Sequence, residues 1–298
     1  MSIVVIGSSN TDMVIQSDKL PAPGETVLGG EFLMNPGGKG ANQAVAAAKL
    51  GGEVHFVAKV GTDVFGEEAI RGFEAVGINT EHVSKDPDHA SGVALILVDG
   101  KGENSISVAL GANDHLTAED LDAAQLAILG AKYVLVQLEI PLDTVLHLGK
   151  MLTDHDGKLI LNPAPARALP ESLLAQIDIL TPNETEAELL TGIKVADVES
   201  AGQAARALHR KGVQTVIITM GKQGAFLSRE NEQVLIPGKT VTAVDTTAAG
   251  DTFNGALCVA LSEGKKLEEA IRFANHAAAL SVTRMGAQAS CPTKKELA

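Results

Sequence analysis

The stretch DTTAAGDTFNGALCVAL, from Asp245 to Leu261, sets two carboxylates around a run of small residues just ahead of an apolar sequence. Phe253, Leu257 and Leu261 recur at helical spacing, so the pattern predicts a helix following the small residues. Ala248, Ala249 and Gly250 carry no bulky side chain, which leaves their backbone N–H groups uncovered at the positive end of that helix. A turn of this kind receives an anion. Asp251 lies inside the same turn, and an anion site holding its own carboxylate points to proton removal beside a phosphate. A structural role competes with this, since Asp is a common helix N-cap. The stretch alone leaves both readings open.

A second glycine-rich stretch, NPGGKGANQA from Asn35 to Ala44, also reads as a turn at a helix start. Gly37 and Gly38 would let a ligand approach the backbone, while Lys39 and Asn42 offer donors; a left-handed turn opening a helix needs the same glycines. The spacing is not that of a P-loop, which needs four residues between its glycines and a hydroxyl after the lysine. Nor is there a dinucleotide fingerprint, because the first strand runs into GSSN and no acid closes the VHFVAKV strand. Other polar residues fall at strand ends. The first strand ends at Ser8, Ser9 and Asn10, followed by Asp12; YVLVQLE ends at Glu139. IDILTPNE ends at Asn183, Glu184 and Glu186, and TVIITMG at Thr219 and Gly221. Ligands of open parallel sheets bind beyond the carboxyl ends of the strands. Hydrogen-bonding side chains at four such ends point to a cleft for a polar small molecule.

The elements that must position these residues alternate. IVVIGSSN, VHFVAKVG, YVLVQLE, KLILNPAP, IDILTPNE and TVIITMG read as buried strands. Between them KGANQAVAAAKLGG, FGEEAIRGFEAVG, AEDLDAAQLAIL, TVLHLGKMLTDHDG, TEAELLTG and AGQAARALHRKG read as helices. Such alternation implies one α/β domain built on a doubly wound, mostly parallel sheet with helices on both faces. Two regions, at about 11–34 and 92–110, read instead as hairpins, with strands at Met13–Ser17, Thr26–Phe32, Val93–Val98 and Ser105–Ala109. They form either a small separate β-sheet, as a lid or dimer surface, or an extension of the main sheet's edge.

The chain has 298 residues, 45% of them apolar but only 3% aromatic, so a sizeable core must be packed from Ala, Val, Leu and Ile. Its net charge of −13 and scarcity of aromatic rings exclude nucleic acid and anionic membranes as expected partners. The first ten residues carry no basic segment, no apolar run reaches membrane-spanning length, and the cysteines are only Cys258 and Cys291. The expectation is a reduced, cytoplasmic setting with no disulfide framework and no thiolate or histidine metal site.

GGKGANQAVAAAKLG and DTTAAGDTFNGAL together resemble the two signature regions of the PfkB, or ribokinase-like, carbohydrate kinases. NTD, GGKGAN, QLE, NPAPAR, TPNETE, TMG and the AGD motif follow in the family's order over essentially the whole chain. The resemblance implies a β-sheet lid on the doubly wound core and ATP-dependent phosphorylation of a primary sugar hydroxyl, O5 of D-ribose by this order of motifs. It implies sugar contacts at Asn10, Asp12, Gly38, Lys39, Asn42, Glu139 and Asp251. Nucleotide contacts would fall on Asn183, the turn from Thr219 through Gly221 to Gly224, Gly250 and Asn275, with Glu186 organising Mg²⁺ through water. Asp251 becomes the general base, and the N–H groups of Ala248, Ala249 and Gly250 the anion hole. AVDTTAAGD and SVTRMGAQAS match the family's K⁺ loop, with side-chain oxygens from Asp245 and Ser290 and carbonyls from Thr247, Ser281, Arg284 and Gly286. A homodimer through the lid is expected. The family's last helix would be incomplete at Ala298. Deoxyribose or another neutral sugar is the alternative acceptor, and an NAD-dependent oxidoreductase is the competing class. Few aromatics disfavour a nucleoside acceptor, and the acids around Lys39 disfavour a phosphorylated one.

Overall fold

The computed structural model describes residues 2–229 and 232–297. The chain enters through β1 (Ile3–Ile6), β2 (Asn10–Gln16), β3 (Glu31–Gly37) and α1 (Lys39–Lys49). It continues through β4 (Val54–Gly61), α2 (Val64–Ala75), β5 (Val83–Asp86), β6 (Gly92–Val98) and β7 (Asn104–Ala109). Two short helices follow, α3 (Ala118–Ala123) and α4 (Gln125–Gly130), then β8 (Tyr133–Val136), α5 (Leu142–Met151) and β9 (Lys158–Leu161). Next come α6 (Glu171–Leu174), β10 (Ile179–Leu180), α7 (Glu184–Thr191), α8 (Val198–Arg210) and β11 (Thr215–Thr219). The remaining elements are β12 (Gly224–Arg229), β13 (Glu232–Pro237), α9 (Ala249–Ser262) and α10 (Leu267–Ser281).

Among the described residues the main sheet has nine strands in the order β13-β12-β11-β10-β9-β8-β1-β4-β5. All its pairings are parallel except β11–β12 and β12–β13. Alternate side chains of β1 serve opposite faces: Val4 and Ile6 pack with α3–α8, Ile3 and Val5 with α1, α2, α9 and α10. The doubly wound expectation holds. From β1 the winding moves out to β4 and β5, then reverses to β8 on the other side, so the topological switch point lies between β1 and β8.

A separate four-stranded sheet, β3-β2-β6-β7, stands off this core. It is inserted between β1 and α1 and again between β5 and β8, and its central pair β2–β6 is parallel. The edge-extension alternative is therefore excluded. The expected strand at Thr26–Phe32 lies instead at Glu31–Gly37, so Asn35, Pro36 and Gly37 are strand residues and the turn opening α1 is Gly38 alone. Gly38 has φ 87°, and a Cβ there would sit 2.7 Å from the Asn10 nitrogen. Only glycine lets β2 and α1 meet so closely.

Other differences have local causes. AEDLDAAQLAIL divides at Ala124, which caps α3 and precedes α4. IDILTPNE contributes only two strand residues, and YVLVQLE leaves the sheet at Val136, three residues before Glu139. The antiparallel β12 and β13, the edge strand β5, and α10 were not read from the sequence. α1 and α9 are buried nearly all round and cross at Gly255, where a Cβ would meet the Gln43 carbonyl at 2.7 Å. An alanine-rich α1 suits that crossing, since Ala favours helix and adds little thickness. No helix among the described residues is long and apolar enough to cross a membrane.

Candidate active site

The switch point is where the first polar side chains meet. Ser8, just past β1, donates its hydroxyl to Glu139 Oε2 at 2.6 Å, and the Lys39 backbone N–H donates to the same oxygen at 2.9 Å. Asn10 and Asp12 project from β2 beside them. Asn10 Oδ1 accepts from Asn113 Nδ2 at 2.8 Å, and Asn113 Oδ1 accepts from the Ser9 N–H at 2.8 Å. Burial, then the Glu139 charge, pushes the Asp12 carboxyl up to about 6, with Asp251 adding to this and Lys39 opposing it. Burial pulls the Lys39 ammonium down, but Asp251, Glu139, Glu186 and Asp12 outweigh it and hold it above its ordinary value. One half-buried cation thus faces four acids, which suits a neutral, hydroxyl-rich ligand better than an anionic one.

Asp251, in the first turn of α9, is buried. It does not cap the helix with its side chain: Ala248 is the N-cap, with a left-handed φ of 57°. The Asp251 oxygens instead accept from Asn42 Nδ2 at 3.0 Å and Gln43 Nε2 at 2.9 Å, both on α1. Burial pushes the Asp251 carboxyl up, against the pull of Lys39 and these two amides. That direction suits a group that must take up a proton. Gln43 also donates to Asn162 Oδ1 at 3.0 Å and accepts from Gln137 Nε2 at 2.6 Å. Asn162 donates to the Thr181 carbonyl, the Thr181 hydroxyl to Asn254 Oδ1 at 2.6 Å, and Asn254 to the Gly250 carbonyl at 2.8 Å. The chain of bonds starts at Asp251 and returns to its own turn. Asn42 Oδ1 is buried with no partner, an acceptor beside Asp251 available to a ligand hydroxyl.

The turn itself presents N–H groups. Ala249 N–H donates to the Thr246 carbonyl at 3.3 Å. The N–H groups of Ala248 and Gly250 have no partner among the described residues. Asn183 and Glu186 do not share one helix face: Asn183 is the N-cap of α7 and forms a capping box with Glu186. Glu186 Oε2 accepts the Asn183 N–H at 2.8 Å and Oε1 accepts Asn183 Nδ2 at 3.1 Å. Burial pushes Glu186 up, with Asp251 and Glu184 adding and the Asn183 N–H and Lys39 opposing.

Two clefts meet at the turn. One, of about 180 Å³, lies between Lys39, Asn183, Glu186 and the residues from Ala248 to Asp251. The other, of about 430 Å³, is lined by Gly221, Gly224, Phe253 and Asn275. Thr219, Thr246, Ala249 and Gly250 line both. Gly224 has φ 107° and a Cβ there would lie 2.2 Å from the Ile236 carbonyl oxygen, so the turn after β11 requires glycine. Asn275 points its Nδ2 at the same carbonyl, 3.0 Å away.

Behind the turn, Asp245 ties two loops together. Its Oδ1 accepts from the Thr247 N–H at 2.9 Å and its Oδ2 from the Gly286 N–H at 2.8 Å. Despite partial burial, the Thr247 side chain and these backbone bonds hold the Asp245 carboxyl below its usual range. Ser290 is buried and donates to the Ala287 carbonyl, Ser281 donates to the Ala278 carbonyl, and the Arg284 guanidinium turns away to Glu296. An ionised carboxylate that ties the two loops together fits an oxygen-seeking cation. Glu186 keeps one lone pair on each oxygen and faces the cleft, which fits a hydrated divalent cation.

Gln43, Gln137, Asn162, Thr181, Asn254 and Asn113 carry this geometry yet were given no role from sequence. Gln43 sits in the GGKGANQ stretch, Gln137 and Asn162 in QLE and NPAPAR, and Asn254 beside AGD, so their proximity to motifs was the available signal. Asn113 offered none.

Two clefts joined at an amide-lined turn, one of them also lined by a buried carboxylate, on a doubly wound sheet, define a phosphotransferase for small molecules. Residues 1–294 match the pfkB family carbohydrate kinase profile, and the chain belongs to that family. It is 47% identical to a ribokinase of Haemophilus influenzae, over 99% of this chain and 96% of that one. It is 42% identical to a deoxyribokinase of Salmonella typhi, over 98% of this chain and 96% of the other. Among solved structures, an Arabidopsis thaliana ribokinase complexed with ribose and ATP superposes with a TM-score of 0.93 at 34% identity, covering 99% of this chain and 97% of that one.

Proposed function

We propose that this carbohydrate kinase transfers the γ-phosphoryl group of ATP to the primary O5 hydroxyl of D-ribose. The observation that carries the reading is Asp251, buried in the smaller cleft one residue past the Ala249–Gly250 turn the two clefts share, and held by two amides of α1. The sugar lies over Asn10, Asp12, Gly38, Lys39, Asn42 and Glu139, where the unpartnered Asn42 Oδ1 accepts a hydroxyl. The nucleotide lies along the larger cleft, from Asn275 past Gly224, Gly221 and Thr219 towards Asn183.

Asp251 accepts the hydroxyl proton as the sugar oxygen bonds to the γ-phosphorus; the bond from phosphorus to the bridging oxygen breaks and ADP departs. N–H groups of the turn from Ala248 to Gly250 meet the charge on the transferring oxygens, and positioning of this kind supplies most of the catalysis in phosphoryl transfer. Glu186 would hold Mg²⁺ through water, and the ion would neutralise phosphate charge. Asp245 and Ser290, with carbonyls of Thr247, Ser281, Arg284 and Gly286, would hold K⁺ behind the turn. Its charge would steady the loop that carries the N–H groups.

The small sheet serves as lid and dimer surface. By register, Asp12, Leu33, Ile106 and Val108 share the face that carries the sugar contacts. Ile15, Phe32, Met34 and Leu95 share the opposite face, and Phe32 is 61% exposed there. An exposed apolar sheet face of this size is one that proteins usually cover.

The test is a coupled ADP-release assay across ribose, 2-deoxyribose, fructose and adenosine. Ribose should give the highest kcat/KM. Preference for 2-deoxyribose would move the substrate to the second reading, favoured by the 42% identity to the deoxyribokinase. No turnover with any sugar would overturn the proposal.

A further inference from the structure

Asp86 closes β5, His89 lies on the segment leading from β5 into β6, and His115 ends the 3₁₀ turn at Gly111–His115 that follows β7. One oxygen of Asp86 and one nitrogen from each imidazole lie within 4.8 Å of one another. His89 Nδ1 stands 3.1 Å from Asp86 Oδ2. The other Asp86 oxygen is pinned by the backbone N–H groups of Asp88 and His89, at 2.9 and 3.0 Å, so the carboxylate is already oriented. The two imidazoles stack face to face, with centroids 3.4 Å apart and 13° between planes.

Two imidazoles and a carboxylate are the donor set of Zn²⁺ rather than of Mg²⁺ or Ca²⁺, which prefer oxygen alone. Ligands about 2.0–2.1 Å from a tetrahedral Zn²⁺ are roughly 3.3 Å apart, close to the Asp86–His89 separation of 3.1 Å. As stacked, the rings aim their in-plane lone pairs nearly parallel, so a shared ion requires one imidazole to rotate out of the stack. The His89 side chain is 42% exposed, which leaves an open side for water as the fourth ligand.

We propose that Asp86, His89 and His115 form a site for a divalent transition-metal ion, Zn²⁺ by its donor chemistry, at the root of the β6–β7 hairpin. None of the three lines either catalytic cleft. The ion ties the segment that enters the hairpin to the segment that leaves it, a connection made without it by the Ala112 N–H to the Ala90 carbonyl at 2.8 Å. Asn113, two residues before His115, holds the Asn10 side chain, so the ion also braces the sugar end of the active site.

The experiment is calorimetric titration of the full, chelator-stripped chain with Zn²⁺ in excess Mg²⁺, repeated with Co²⁺ followed by visible absorption. The wild type should bind one equivalent, with a visible Co²⁺ band. His89→Ala and His115→Ala should each weaken binding by about ten-fold or more, the scale of losing a site's supporting group, and remove the band. Melting temperatures without metal establish that the variants are folded, and His89, being exposed, is the safer of the two. Undiminished Zn²⁺ binding in both folded variants, or no binding at millimolar Zn²⁺, would overturn the proposal.

Discussion

Asp251 and Asp12 are both pushed up by burial, with opposite consequences. In the proposed mechanism, Asp251 gains affinity for the proton it removes. Replacing it with Asn keeps the shape and one of the two acceptor bonds to α1 but removes the basic oxygen, so turnover should fall by about 100-fold or more. Calorimetry should still show sugar and nucleotide binding. Near-wild-type turnover in a folded Asp251→Asn protein would reject the assignment. As the proposed sugar contact, Asp12 accepts from a hydroxyl most strongly when ionised. Its folded value of about 6 lies above 3.8, so its contribution to folding is full below the lower value and is lost as pH rises through the upper one. Two outcomes are expected. In the unliganded protein kcat/KM for the sugar should fall as pH drops through about 6, a limb absent from Asp12→Asn. At neutral pH and above, Asp12→Asn should raise the melting temperature of the unliganded protein, because a charge no longer has to be buried there and the repulsion from Glu139 is gone.

At the scale of elements, α1 and α9 act as a pair, since α1 supplies both amides that hold Asp251. Gln43→Leu leaves the amides of Gln137 and Asn162 short of partners, at a cost of about 1–3 kcal/mol in folding free energy. It should also lower kcat at saturating substrate while the sugar Kd stays nearly unchanged, because Asp251 loses its orientation. A change in Kd alone would place Gln43 in binding instead. The two loops joined by Asp245 form the second paired unit. Activity should rise more with K⁺ than with Na⁺ at equal ionic strength, which removes screening as the cause. Asp245→Ala should flatten that response. Equal rates in K⁺, Na⁺ and a bulky organic cation would exclude the cation site.

For the whole molecule, the expectation is a dimer through the outer face of the small sheet. Sedimentation at micromolar concentration should show it, and Phe32→Lys with Leu95→Lys should shift it towards monomer by placing charges on an apolar contact. A wild-type monomer at full activity would count against the surface. The small sheet also marks a limit of sequence reading. Its hairpins were legible because MVIQ and VALILV alternate, but its second strand was placed several residues early. Pro36 and Gly37 look like turn residues, yet they pair with β2 at the sheet's edge. Pro is tolerated there because an edge strand leaves an N–H unneeded.

What the sequence determined by itself is what short-range chemistry controls. Apolar runs and helical spacing marked most parallel strands and their crossovers, small residues before an apolar helix marked the anion turn, and carboxylates fell at strand ends. Tertiary structure decided which of these groups meet. Gln43 and Asp251 are 208 positions apart, and Asn113 and Asn10 are 103. A glutamine in an alanine-rich helix carries no local mark of its buried partner. The cost of leaving buried amides and carboxylates unpaired, set by burial rather than by neighbours in sequence, selects the one arrangement in which they satisfy each other.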